Sequence, residues 1–199
     1  MDSLIEFLAA EDQQVARQLI CTAGRELAYL NDQRHQSVGT DTLVVMTPSD
    51  ADFFGEQYLY WLRDKQPGRW AVAWHNVYVT PTDVEVAILV HRYLSPGEAV
   101  NSAVVTRSLA MSKAEMRGLI LFAVDQGVPL DKCRVECPWM TRSVYDHLAH
   151  EFGEEWAKTG LADVGVVEDS LVEGVNLNRR LNLPDSALAY LPAVVCGRI

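Results

Sequence analysis

The chain lacks an excess of positive charge, a metal-binding cysteine pattern, a glycine-rich phosphate loop and any long apolar run, and each absence removes a class of protein. Its 17 Lys and Arg stand against 27 Asp and Glu, a formal net charge of −10. Such a field repels nucleic-acid phosphates and anionic lipid, so neither direct nucleic-acid binding nor membrane binding is expected. It suits an ordinary acidic enzyme, and equally a protein that docks on a basic partner surface. The four cysteines, Cys21, Cys133, Cys137 and Cys196, form no C-x-x-C pair and have no spaced histidine companions, so they read as reduced core thiols. His147 and His150, three apart, lack a nearby third ligand and read as a solvated helix face. There is no G-x-S-x-G nucleophile elbow, no P-loop and no dinucleotide fingerprint. No apolar run approaches the roughly 18 residues of a membrane span. Asp2 and Glu6 precede the first apolar run without a basic leader, so a soluble protein of a reducing compartment is expected.

What is present is the composition of a packed globular chain, 49% hydrophobic and 22% charged, without repeats or Ser/Gly linkers. Residues Asp2 to Leu30 carry Leu4, Ile5, Leu8, Val15, Leu19, Ile20, Ala23, Leu27 and Leu30 at mostly helical spacing. This predicts an N-terminal amphipathic helical arm over 1–35, ahead of an α/β domain over 40–199. The arm packs along its own domain or self-associates through its apolar stripe. Asp41 to Met46 reads as a strand, Thr47-Pro48-Ser49-Asp50 as turn and cap chemistry, and Phe53 to Leu62 as a helix. Arg69 to Val79 and Val84 to Leu94 read as a hairpin around Thr80-Pro81-Thr82-Asp83. On its second strand, simple alternation puts Val84, Val86, Ile88 and Val90 on one face. Glu85, Ala87, Leu89, His91 and Tyr93 then share the other, a mixed face suited to line a cleft.

Val104 to Gly153 then gives strand, capped apolar helix, strand and amphipathic helix. Val104 to Leu109 is the first strand, and Ser112 with Glu115 three residues on is a capping box for a helix ending at Gly127. Lys132 to Cys137 is the next strand. Thr141 caps a helix with Val144, Tyr145, Leu148 and Phe152 on one stripe, and Asp163 to Glu168 is a further strand candidate. Leu171 to Leu183 is ambiguous, and the apolar tail from Leu191 to Cys196 reads as docked rather than free.

The order hairpin, strand into capped helix, strand, and helix ending in an aromatic-Gly pair resembles the GCN5-related N-acetyltransferase (GNAT) superfamily over about Arg69 to Gly153. Thr106-Arg107-Ser108-Leu109-Ala110-Met111-Ser112-Lys113 enters its helix in the manner of divergent acetyltransferase-like proteins of bacteriophages. The resemblance implies an α/β fold with a mixed, GNAT-like sheet. It implies acetyl-CoA as cofactor, held at Arg107, Leu109, Ala110, Met111, Ser112, Lys113 and Ala114. In the family this loop is glycine-rich, because glycines let backbone amides approach a pyrophosphate at a helix N-terminus. The 109–114 stretch here contains none.

The family often uses a Tyr to protonate the leaving thiolate and a strand Glu to activate the amine, roles that would fall to Tyr145 and to Glu85 or Glu136. Tyr145 also fits a core position on its stripe, and both glutamates fit solvent-facing strand positions. Two functions follow. One is an acyl-CoA-dependent N-acyltransferase, phage-encoded and cytoplasmic in a bacterial host. The other is a non-catalytic protein of that fold, serving as a virion component or as an acidic inhibitor that binds a host protein.

Overall fold

The structure, a computed structural model, describes residues 2–33, 41–61, 68–176 and 181. The 191–196 tail and Cys196 lie outside them. Helices α1 (Asp2–Ala9) and α2 (Gln13–Gln33) come first, followed by β1 (Thr42–Met46), α3 (Pro48–Ala51) and α4 (Phe54–Trp61). The hairpin is β2 (Arg69–Val79) and β3 (Glu85–Leu94). Beyond it lie β4 (Ser102–Thr106), β5 (Leu109–Ala110), α5 (Lys113–Asp125), β6 (Cys133–Thr141), α6 (Arg142–Phe152), α7 (Glu154–Gly160) and β7 (Asp163–Val167).

The strands form one sheet in the order β3-β2-β1-β4-β6, with β7 on the far side of β6. β5 resumes the β4 side after a break at Arg107–Ser108, since Met140 pairs with Ala110 on one flank and with Val166 on the other. Every pairing is parallel except β2 with β3. Parallel strands need helices on both faces, so their sequences read as continuous apolar runs. All five residues of β1, Thr-Leu-Val-Val-Met, are buried accordingly.

Alternate side chains divide the core in two. Val44, Met46, Val72, Trp74, Val104 and Leu109 pack with Leu4, Phe7, Ile20, Phe54 and Tyr58 of α1, α2 and α4. Leu43, Val45, Ala73, Val105, Val135 and Cys137 pack with Met116, Leu119, Ile120, Val144, Leu148 and Trp156 of α5, α6 and α7. The result is a three-layer α/β/α arrangement.

The N-terminal stripe is two helices rather than one. Asp12 breaks it, its carboxylate accepting the Gln14 N–H at 2.7 Å, a cap at the start of α2. Both helices lie in the core of the first sheet face. Gly24 lets α2 cross α4 closely, because a Cβ there would stand 2.3 Å from the Phe54 carbonyl oxygen. Among the described residues no helix is long and apolar enough to cross a membrane.

Two expectations are corrected here. The hairpin does not lead into an adjacent strand of a GNAT-like sheet: from β3 the chain passes both β2 and β1, and β4 pairs in parallel with the far side of β1. Element order along a chain does not determine which strands are neighbours, and both arrangements share this order. The faces of β3 also exchange halfway. Trp74 pairs with His91 and His75 with Leu89, leaving Val90 as a bulge. His91 therefore packs on Trp74, with ring centroids 5.3 Å apart, and Arg92 lies over the Phe122 ring of α5, away from the face that simple alternation assigned.

Candidate functional site

The chain leaves β1 toward α3 on one sheet face and leaves β4 toward α5 on the other. The carboxyl ends of β1 and β4 are thus a topological switch point, where open α/β sheets form their ligand crevice. Here the protein's own side chains occupy its floor. Asp50, fully buried, accepts from Arg107 Nη1 at 2.5 Å, from Thr47 Oγ1 at 3.1 Å, and from both the N–H and the hydroxyl of Ser108. Arg107 also donates to Thr47 Oγ1 and Ser49 Oγ, each at 2.9 Å, and to Glu115 Oε2 at 3.0 Å. Burial by itself would lower the pKa of this guanidinium, but Asp50 and Glu115 outweigh it and hold it above its ordinary value.

The same loop uses up amides that a phosphate cradle would offer. The Arg107 N–H goes to the Glu136 carbonyl, the Ser108 N–H goes to Asp50, and Leu109–Ala110 pair as β5 with Trp139–Met140. Met111 packs against the first core. Ser112 caps α5 by accepting the Glu115 N–H at 3.0 Å, whereas the Glu115 carboxylate turns to Arg107 instead of completing the box.

Lys113 and Ala114 have a different place. They line an open cleft of 560 Å³ between the start of β3, the first turns of α5, and α6. Glu85 reaches across it, and its carboxylate accepts the Ala114 N–H at 3.0 Å in the first turn of α5. On the α6 side Glu151 binds Arg117 and stands 3.2 Å from His147 Nε2. Gly118 forms part of the wall because a Cβ there would lie 2.8 Å from His75 Nε2, so α5 sits directly on β2. Burial lowers the His75 pKa, while nearby Glu115 pulls the other way. At the neighbouring helix start, Asp169 accepts both the N–H and the hydroxyl of Ser143, and those hydrogen bonds lower its pKa. Both helix N-termini at this edge of the sheet therefore already hold a protein carboxylate, the charge that such termini favour.

The three residues assigned to acid and base roles do not meet. Glu136 is fully buried on the α4 side of the sheet, where Tyr58 donates to it at 2.6 Å and Arg134 Nε at 2.9 Å. Tyr145 is half-buried in the α5–α7 core on the opposite side, and Glu85 stands on the hairpin. Among the described residues no cluster of three His, Cys, Asp or Glu is placed to hold a metal ion. Cys133 and Cys137 are unbridged core thiols, pushed up by burial to about 11 and about 12. Sequence reasoning missed Asp50, Arg117 and Glu151. Asp50 was visible only as turn chemistry after an apolar strand, and the other two as ordinary helix-surface charges.

No family model matches the chain, and no curated protein is similar to it. Among solved structures, the chain aligns with the hypoxanthine-guanine phosphoribosyltransferase of L. donovani over 64% of its length and 73% of that chain, at 15% identity and a TM-score of 0.43. It aligns with a variant hypoxanthine phosphoribosyltransferase from Trypanosoma cruzi, complexed with the product IMP, over 64% of its length and 66% of that chain, at 13% identity and a TM-score of 0.42. The sheet, parallel except for its β2–β3 pair and ordered β3-β2-β1-β4-β6, is not the GNAT-like one. The acetyltransferase resemblance is therefore corrected by the strand order. With it goes the acyl-CoA N-acyltransferase reading that the resemblance implied, and nothing in the fold supports the non-catalytic virion or inhibitor alternative or the bacteriophage affiliation.

Proposed function

We propose that the chain binds a small ligand carrying a single anionic group, a phosphate monoester or a carboxylate, in the cleft between β3 and the first turns of α5. One observation carries this reading. The Glu85 carboxylate sits on the Ala114 amide, in a cleft that Lys113 and Arg117 also line. A helix N-terminus with adjacent cations is where an external anion is stabilised, and Glu85 holds that position as a protein-borne stand-in. The cleft volume of 560 Å³ falls within the range of small-molecule sites. Asp83, Glu85 and Glu151 on its walls, together with the overall charge of −10, favour one anionic group over a chain of phosphates.

Calorimetric titration with inorganic phosphate, a sugar phosphate and a short carboxylic acid tests the reading. Saturable binding is expected for at least one of them. Lys113→Ala is expected to weaken it by about tenfold or more, the worth of a charge-assisted hydrogen bond. Absence of saturable binding by all three, with the protein folded, overturns it.

A further inference from the structure

The β2–β3 hairpin leaves the sheet. β1 pairs with β2 only as far as Val72, yet β2 continues to Val79, so the ribbon runs about 23 Å beyond the last β1 pair, at about 3.3 Å per residue. On this projection Val77, Tyr78, Val79, Val84, Ile88 and Leu89 are between 39% and 62% exposed. By the register, Val77, Val79 and Leu89 stand on one face of the ribbon and Tyr78 and Ile88 on the other, so both faces of the projection carry exposed apolar side chains. β3 is also the last strand of the sheet, so its outer backbone edge has no strand beside it among the described residues.

We propose that two copies of this chain associate by antiparallel pairing of their β3 edges. The sequence of β3 is complementary to itself. Two adjacent antiparallel copies are related by a two-fold axis normal to the sheet, which preserves the face on which each side chain stands. With the axis at Ile88, Ile88 opposes the partner's Ile88 and Ala87 opposes the partner's Leu89. Val90 is the bulge residue, so the next pairs are Val86 with the partner's His91 and Glu85 with the partner's Arg92. Each pair lies on one face, because the bulge resets the alternation between Leu89 and His91. Opposite charges thus flank an apolar centre twice by symmetry, at a separation that a charged, bulged edge built only to repel pairing would not need.

This inference concerns the outer edge of the hairpin; it shares Glu85 with the ligand reading but does not rest on it, and the Ile88→Lys arm tests it without touching that residue. Sedimentation equilibrium of the full chain at micromolar concentrations tests it, with circular dichroism as the check on folding. The wild type is expected to be dimeric and Ile88→Lys, at an exposed position, folded and monomeric. Arg92→Glu alone is expected to weaken association by about tenfold, and Glu85→Arg combined with it to restore association. A monomeric wild type, or a dimer indifferent to Ile88→Lys, overturns the proposal.

Discussion

At the scale of single residues, the most consequential pair is Asp50 with Arg107. Both are buried, and the hydroxyls of Thr47, Ser49 and Ser108 share their hydrogen bonding. Removing one partner from such a pair strands the other charge, which costs about 3–5 kcal/mol. Arg107→Met is therefore expected to lower unfolding stability by about that amount in denaturant titration, with a smaller loss when Asp50→Leu is added. His75 gives a pH prediction. Burial places its folded pKa below the ordinary 6.5, so the unfolded chain takes up this proton first as pH falls. The contribution of neutral His75 to stability is whole above pH 6.5 and is lost as pH drops below that value. Stability measured at a series of pH values is expected to fall across that window, and His75→Gln to flatten that part of the curve.

At the scale of elements, the α2–α4 crossing depends on the missing Cβ of Gly24. Ala favours a helix interior by about 1 kcal/mol over Gly, but at this position its methyl collides with the Phe54 backbone. Gly24→Ala is expected to destabilise the protein despite its better propensity, by about 1–3 kcal/mol as in other overpacked sites, read from the thermal midpoint. Most elements were legible from local signals. The apolar run 42–46, the hairpin turn at 80–83, the Ser112 cap and the Gly127 stop each reflect short-range chemistry, and each has its counterpart in the structure. Three features were not legible. The bulge at Val90 depends on packing against Trp74 and Phe122, the break at Arg107–Ser108 depends on Asp50 from another element, and the order of the sheet depends on contacts far apart in sequence.

At the scale of the whole molecule, the parallel sheet sends its two crossovers to opposite faces and so creates a crevice between β1 and β4. The protein has filled the floor of that crevice with an ion-pair network and left open space beside it, under the hairpin. The site was partly legible. Lys113, Ala114 and Glu85 were singled out from sequence and line the cleft, but the element order that suggested their roles also suggested a sheet that the chain does not form. The polar residues at the ends of β1 and β4 acquire meaning only once those strands are known to be neighbours. If Glu85 stands in for a ligand anion, neutralising it removes a competitor. Calorimetric titration of the wild type and Glu85→Gln with a phosphate monoester is the most direct measurement. The account predicts tighter binding by Glu85→Gln, by about tenfold for the loss of one competing charged hydrogen bond. Equal or weaker binding by Glu85→Gln would contradict it.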